Sequence, residues 1–397
     1  MSHSDPAVRL QETLRTMEHD GVNPAITDSS TFQFETGSSM TDCFEGKLEG
    51  CFLYGRHWNP TNLILSNALA ALENSESAWV TASGMAAITS AILQICSSGD
   101  HIVTSVTTYG GTFAFFKNLL KRFRIDVTFV DISNLQSVRD AIRPNTKVIY
   151  TESLTNPLLV VSDLPKLAEI AHEKGIKLVV DNTFSPMIIS PIKYGADVVV
   201  HSMTKFINGK SDCIAGAICS DAGFIASLSD VNSGVSMLLG PVLDPLRSSS
   251  IHKNLFTLHI RMQRHSQNAA FIAGKMAEKG LTVIYPGLTN HRQHSLMKEL
   301  MNPGYGFGGI MAVDMVTREK ANSFMVGMQK RHIGYLAVSL GYYKTLFSNS
   351  GTSTSSEIPE DVQKSMGLSE GLVRISIGLD QDIEQTWRGM EESLDEI

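Results

Sequence analysis

The sequence predicts an α/β protein: a large domain on a mostly parallel sheet, followed by a smaller C-terminal α+β domain. Between Asn59 and Ser220, short apolar runs alternate with helical stretches, the pattern of strand and helix units whose sheet is covered on both faces. From about Ser250 the order changes to one long helical stretch and then strand-like runs spaced among helices. The residues best able to do chemistry follow the ends of several apolar runs, which is the rim where open sheets of this class hold ligands.

Residues 1–55 carry scattered turn formers, Gly37-Ser-Ser, Glu45-Gly and Glu49-Gly, without a sustained period, so this segment is expected to clasp another body instead of forming a core. Its first twenty residues read as a polar amphipathic helix without the apolar stretch of a signal peptide. Asn59-Pro60 opens a helix, with asparagine as cap and proline in the first turn, that continues through TNLILSNALAALEN. SAWVTA then precedes the helix GMAAITSAILQIC, HIVTSV precedes TFAFFKNLLKRF, VTFVDI follows, and KVIYTES precedes the helix LPKLAEIAHEKG. KLVVDNT, DVVVHSM and AGAICS complete the large domain, taken as residues 56–250. In residues 251–397 the helix HKNLFTLHIRMQRHSQNAAFIAGKMAEKG leads to TVIYP, GGIMAVDMV, a helix near 318–330, VRISIGL and an acidic last helix. Ser348 to Ser356 is expected to be a polar loop. Gly304-Tyr-Gly306-Phe-Gly-Gly309 matches G-x-G-x-x-G, but it follows a polar turn and leads into a strand, the reverse of the dinucleotide context, and reads as a loop.

A chain of 397 residues, 43% hydrophobic and 18% charged, has the composition of an ordinary globular protein with room for a large core. A net charge of −7 without basic clusters argues against nucleic acid or an anionic membrane as partner, and no run approaches membrane-spanning length. Small-molecule chemistry is what remains. The five cysteines are odd in number and form no C-x-x-C pair, which reads as reduced thiols and a cytoplasmic location, with no metal-ligating set.

Lys205 follows the run DVVV and is flanked by Ser202 and Thr204. An ordinary lysine, with a pKa of about 10.4, is protonated at neutral pH; desolvation or a neighbouring cation makes it nucleophilic. Ser83, Gly84 and Met85 follow AWVT and open a helix whose free N–H groups suit a phosphate. Asp181 ends KLVV. A phosphate cradle, a strand-end carboxylate and a lysine together match pyridoxal phosphate: the lysine condenses with the aldehyde, the carboxylate keeps the pyridine nitrogen protonated, and the phosphate anchors the far end. Each residue alone has a plainer reading, as a loop lysine, a turn-starting aspartate or a helix entry. Their shared rim gives the combination its weight. Arg374 alternates with Val373, Ile375 and Ile377 and so faces away from their apolar side.

Tyr54-Gly-Arg56-His-Trp-Asn-Pro-Thr61, Ser83-Gly-Met-Ala-Ala87, Tyr109-Gly-Gly-Thr112, Glu152-Ser-Leu-Thr-Asn-Pro157, Val180-Asp-Asn-Thr-Phe184, Ser202-Met-Thr-Lys205, Ser339-Leu-Gly341 and Val373-Arg-Ile-Ser-Ile-Gly378 together resemble the Cys/Met-metabolism family of fold-type I pyridoxal phosphate (PLP) enzymes. Within it, MLLGP at 237–241 and SLGYYKTL most resemble the plant-type methionine γ-lyases. The resemblance implies the fold-type I PLP transferase architecture and α,γ-elimination on L-methionine or a related sulfur amino acid. Cystathionine lyases, cystathionine γ-synthase and homoserine sulfhydrylases belong to the same family. It implies that Lys205 holds PLP and moves substrate protons, that Asp181 pairs with the pyridine nitrogen, and that Ser83, Gly84, Met85, Ser202 and Thr204 bind phosphate. Tyr109 would stack on the ring and act at the leaving group, while Asn156, Ser339 and Arg374 grip the substrate carboxylate. Tyr54 and Arg56 would serve the neighbouring subunit of a homotetramer built as a dimer of dimers. Gly111 stands where bacterial methionine γ-lyases carry cysteine, and VLDPLRSSSIHKN is unusual and is expected to bear on the site entrance.

Overall fold

The computed structural model describes residues 5–13, 21–48, 50–349 and 369–397. Seven strands form the larger sheet: β1 (Ser77–Thr81), β2 (His101–Ser105), β3 (Asp126–Val130), β4 (Thr146–Glu152), β5 (Lys177–Asp181), β6 (Val198–Ser202) and β7 (Gly216–Ser220). Their spatial order is β1-β7-β6-β5-β4-β2-β3. β7 runs antiparallel to both β1 and β6, and every other pairing is parallel. The connection over 203–215 carries no helix, so it returns the chain antiparallel, since a parallel partner needs a longer crossover. Six strands therefore point one way. The carboxyl ends of β1, β2, β4, β5 and β6 open on a single rim.

Strand alternation sends side chains to both faces of this sheet. Leu178, Val180 and Val199 pack in one core layer, while Val179, Val198 and Val200 pack in the other. All are shielded from solvent, and each such side chain stabilises the fold by about 1.5–3 kcal/mol relative to exposure. Helix Pro60–Glu73 begins as its sequence signals: Asn59 Oδ1 accepts the Thr61 N–H at 2.8 Å, with proline in the first turn. Beneath the rim, Asn182 Nδ2 donates to Glu73 Oε1 at 2.9 Å and His201 Nε2 lies 2.7 Å from the same oxygen, which fastens this helix to the ends of β5 and β6.

The second sheet contains β8 (Thr282–Ile284), β9 (Ile310–Asp314), β10 (Gly334–Leu336), β11 (Thr345–Asn349) and β12 (Leu372–Ser376), ordered β10-β11-β12-β9-β8. Only β10 and β11 pair in parallel. Helices Leu258–Glu278, Arg318–Lys330 and Ile383–Asp395 cover it through a core that includes Met311, Val313, Phe347, Val373 and Ile375.

Some local expectations change. The 1–55 segment contains helix Gly37–Phe44, closed by a reciprocal Thr36–Ser39 cap, and within the first twenty residues the described helix is Pro6–Gln11. TFAFFKNLLKRF is not one regular helix: it passes from α over Gly110–Ala114 to a wider turn over Phe115–Leu119 and a tighter one over Leu120–Phe123. Ser348 and Asn349 belong to β11, not to a loop, because they pair with Arg374 and Val373 of β12; residues 350–356 lie outside the described residues. Gly304–Gly309 is a loop before β9, as its context indicates. Among the described residues no helix is long and apolar enough to cross a membrane.

Candidate active site

The rim encloses a cavity of about 400 Å³. From β1, Ser83 caps helix Gly84–Ile95, its Oγ accepting the Ala86 N–H at 3.0 Å, so the helix N-terminus faces the cavity floor. A Cβ on Gly84 would stand 2.6 Å from the Ser202 Cβ, and only glycine lets this turn meet the end of β6. Met85, Ser202 and Thr204 also line the cavity. The Ser202 N–H donates to Thr183 Oγ1 at 2.8 Å, and the Thr204 hydroxyl is exchanged with the Ala215 backbone at 3.1 and 3.3 Å.

Asp181 ends β5 in register with Glu152 at the end of β4, and both carboxylates reach the cavity. Asp181 Oδ1 accepts the Thr183 N–H at 2.9 Å, and Oδ2 accepts the Tyr150 hydroxyl at 3.4 Å. Burial raises the Asp181 pKa, opposed by the Thr183 donors and the nearby His201. Burial, then the Asp181 and Glu152 charges, push the Tyr150 phenol far up, so it remains a donor.

Lys205 sits beyond β6 with its Nζ donating to Ser339 Oγ at 3.2 Å. Burial, reinforced by the Arg374 charge, pulls its pKa to about 8, in the range where a lysine exchanges protons near neutrality. Arg374 rises from β12 and is 3% exposed; Nη1 donates to Asn156 Oδ1 at 3.1 Å and Nη2 to the Ser339 carbonyl at 3.3 Å. Burial lowers its pKa to about 10, which still leaves it cationic at neutral pH. This is a ready seat for a carboxylate. Tyr109 stands at the cavity mouth, 43% exposed. A Cβ on Gly111 would lie 2.7 Å from Tyr109 Cε1, so glycine makes room for the ring.

Lys205, Asp181, Tyr109, Ser83, Gly84, Met85, Ser202, Thr204, Asn156 and Arg374 thus line one cavity, with Ser339 beside Lys205. Tyr54 and Arg56 do not reach it. Arg56 Nη1 donates to the Met237 carbonyl at 2.8 Å, its guanidinium carbon lies 5.8 Å from the centre of the half-exposed Tyr54 ring, and both are outside the lining. The unusual 242–254 stretch is not at the entrance either. It forms helix Pro245–Leu255, whose Ser248 hydroxyl donates to Asn62 Oδ1 at 2.5 Å, and none of it lines the cavity. Sequence reasoning gave no role to Glu152, Tyr150 or Thr183; the available signal was a second acid ending an apolar strand beside Asp181.

The profile of the family described as Cys/Met metabolism PLP-dependent enzyme matches residues 7–395. The chain belongs to this family. As a Cys/Met metabolism enzyme it uses PLP, and its residues fit that cofactor: a glycine-opened helix N-terminus with two hydroxyl residues, a buried carboxylate, and a lysine with a lowered pKa share one cavity of sufficient size. The chain is similar to methionine γ-lyase of Arabidopsis thaliana, 45% identical over 98% of this chain and 90% of that one. It is also similar to cystathionine γ-lyase of Bacillus subtilis, 37% identical over 87% of this chain and 89% of the other. Its fold matches the crystal structure of an O-acetylhomoserine (thiol)-lyase from Campylobacter jejuni, which carries a pyridoxyl-lysine phosphate, with a TM-score of 0.91, 26% identity, and coverage of 99% of this chain and 100% of the other.

Proposed function

We propose that this enzyme cleaves L-methionine by α,γ-elimination to methanethiol, 2-oxobutanoate and ammonia. The observation that carries this reading is the cavity wall beyond the polar machinery: Ile88, Leu154, Phe184, Ile214, Val338 and Leu340 are all apolar. A methylthio group suits such a wall. The charged far end of cystathionine has no partner among these six side chains, and a charge left unpaired against an apolar wall is penalised.

Bound PLP supplies an electron sink conjugated to the substrate Cα. Arg374, oriented by Asn156 and the Ser339 carbonyl, holds the substrate carboxylate and so fixes which face of Cα turns toward Lys205. The Lys205 amine, its pKa drawn to about 8, takes the Cα proton, gives it up again, and once more neutral takes a Cβ proton. The Tyr109 hydroxyl, at the cavity mouth, gives a proton to the departing sulfur. Asp181 holds negative charge at the cavity floor.

The active unit in this reading is at least a dimer, assembled in pairs into a tetramer. Tyr54 and Arg56 lie outside their own chain's cavity, and Leu238 and Leu239, which follow the Met237 that Arg56 holds, are 58% and 65% exposed, apolar side chains suited to a second subunit. Five free thiols favour a cytoplasmic setting.

Incubating the purified enzyme with L-methionine and following 2-oxobutanoate tests the assignment. Keto acid from cystathionine with none from methionine would move it to a cystathionine lyase. Cystathionine formed from an activated homoserine ester plus cysteine would move it to a γ-synthase.

A further inference from the structure

We propose that Glu152 is a positioning residue that sets both ends of the substrate site at once, acting through Tyr109 and Asn156. The proposal rests on the roles given above to Tyr109 and to the Asn156–Arg374 pair, and adds a residue to them.

Glu152 is the last residue of β4 and 4% exposed. Its Oε1 accepts the Tyr109 backbone N–H at 2.6 Å and the Thr108 hydroxyl at 3.0 Å, and its Oε2 accepts the Asn156 N–H at 2.9 Å. One carboxylate therefore ties the loop after β2 to the loop after β4. The first loop aims Tyr109 at the mouth of the cavity. The second presents Asn156 Oδ1 to Arg374. Both of its oxygens are needed as acceptors, a demand that a carboxylate meets and an amide does not.

A local turn cap does not require this arrangement. Glu152 is buried beside a second buried carboxylate, its register partner Asp181, and two acids side by side in a sheet interior are unfavourable unless donors compensate. Three donors from the two loops do so. Burial and the Asp181 charge push the Glu152 pKa up, and the donors at Tyr109, Asn156 and Thr108 pull against that rise by favouring the form in which both of its oxygens accept.

Glu152→Gln retains the shape and one acceptor. With the amide oxygen turned to its two donors at Thr108 and Tyr109, the amide NH2 faces the Asn156 N–H and pushes Asn156 off Arg374. The test compares binding of L-norleucine with that of n-pentylamine, the same chain without the carboxylate, to PLP-loaded wild type and variant, followed by the cofactor's absorbance change. The expected result is a roughly tenfold loss of norleucine affinity, the scale of one hydrogen bond to a charged group, with pentylamine held as before. An unchanged ratio of the two affinities, or equal weakening of both ligands, overturns the proposal and leaves Glu152 a purely structural residue. Should Glu152→Gln not fold, Thr108→Val, which removes one of the three donors, carries the same test: a smaller fall in the ratio supports the proposal and a wild-type ratio overturns it. Neither ligand has a leaving group, so the outcome does not depend on which thioether the enzyme cleaves; absence of methionine turnover in wild type would sink that reading alone.

Discussion

Lys205 Nζ and Ser339 Oγ meet at 3.2 Å across the seam between the two sheets, and the backbones behind them leave no room for a side chain at Gly341. Gly341, at φ +76°, is packed so that a Cβ would lie 2.5 Å from the Phe206 nitrogen and 2.8 Å from the Lys205 carbonyl carbon. The lysine is thus placed by the larger sheet and held by the smaller one.

Gly341→Ala is expected to lower stability by about 2–4 kcal/mol, combining a left-handed backbone penalty with overpacking of a rigid contact. Chemical denaturation measures it, and a variant as stable as wild type would contradict the packing of the seam.

In the proposed mechanism Lys205 anchors the cofactor and carries the protons, and Lys205→Ala takes away both functions. Turnover should fall by roughly 10²–10⁴, the range for losing a positioned acid or base, and the visible absorption of the lysine-bound cofactor should vanish. Spectra of the purified variant after dialysis, set beside its keto-acid production, decide the matter.

Arg374→Lys keeps a cation but loses the planar fork that reaches Asn156 and the Ser339 carbonyl. Losing a hydrogen bond to a charged group amounts to about 1.5–3 kcal/mol, so KM for the amino acid should rise roughly ten- to a hundredfold while cofactor binding is retained. Steady-state kinetics with a PLP titration separates the two effects.

Capture of PLP by the cofactor-free protein should quicken as pH rises to about 8 and level off above it, because only neutral Lys205 attacks and its pKa lies near 8. A lysine at its ordinary value would keep climbing toward about pH 10.4. The same shift has a stability sign: the folded pKa lies below the unfolded one, so between these two values the unfolded chain binds more protons and stability rises with pH. Lys205→Met should remove that rise, read from melting temperatures of the cofactor-free proteins across the window.

Subunits with Arg56→Ala and subunits with Lys205→Ala, each inactive alone, should regain part of the activity when refolded together. A mixed dimer then pairs an intact Lys205 with a neighbour's intact Arg56. Mixtures that stay as inactive as their components would remove the intersubunit role from Tyr54 and Arg56.

The parts of this site readable in the sequence were those set by one strand end. Lys205, Asp181 and the Ser83–Gly84 turn each follow an apolar run, and a shared strand direction brings them to one rim. Contacts between distant elements were not readable. Glu152 stands in a recognised stretch, yet its role arises only when the Thr108–Tyr109 loop folds over it from another strand. Ser348 looked like loop material because a polar run has no period, while its place in β11 comes from pairing with Arg374. Helix Gly37–Phe44 escaped notice because its cap is two small hydroxyl residues and none of its residues is fully buried.

The contact between Gly341 and the Lys205 backbone also bears on biosynthesis. A ribosome releases Lys205 long before Ser339, Gly341 and Arg374, so a nascent chain carries its reactive amine without the groups that hold it. Chains terminated ahead of β12 are therefore expected to take up vitamin B6 more slowly than full-length ones, however much of the large sheet they have built.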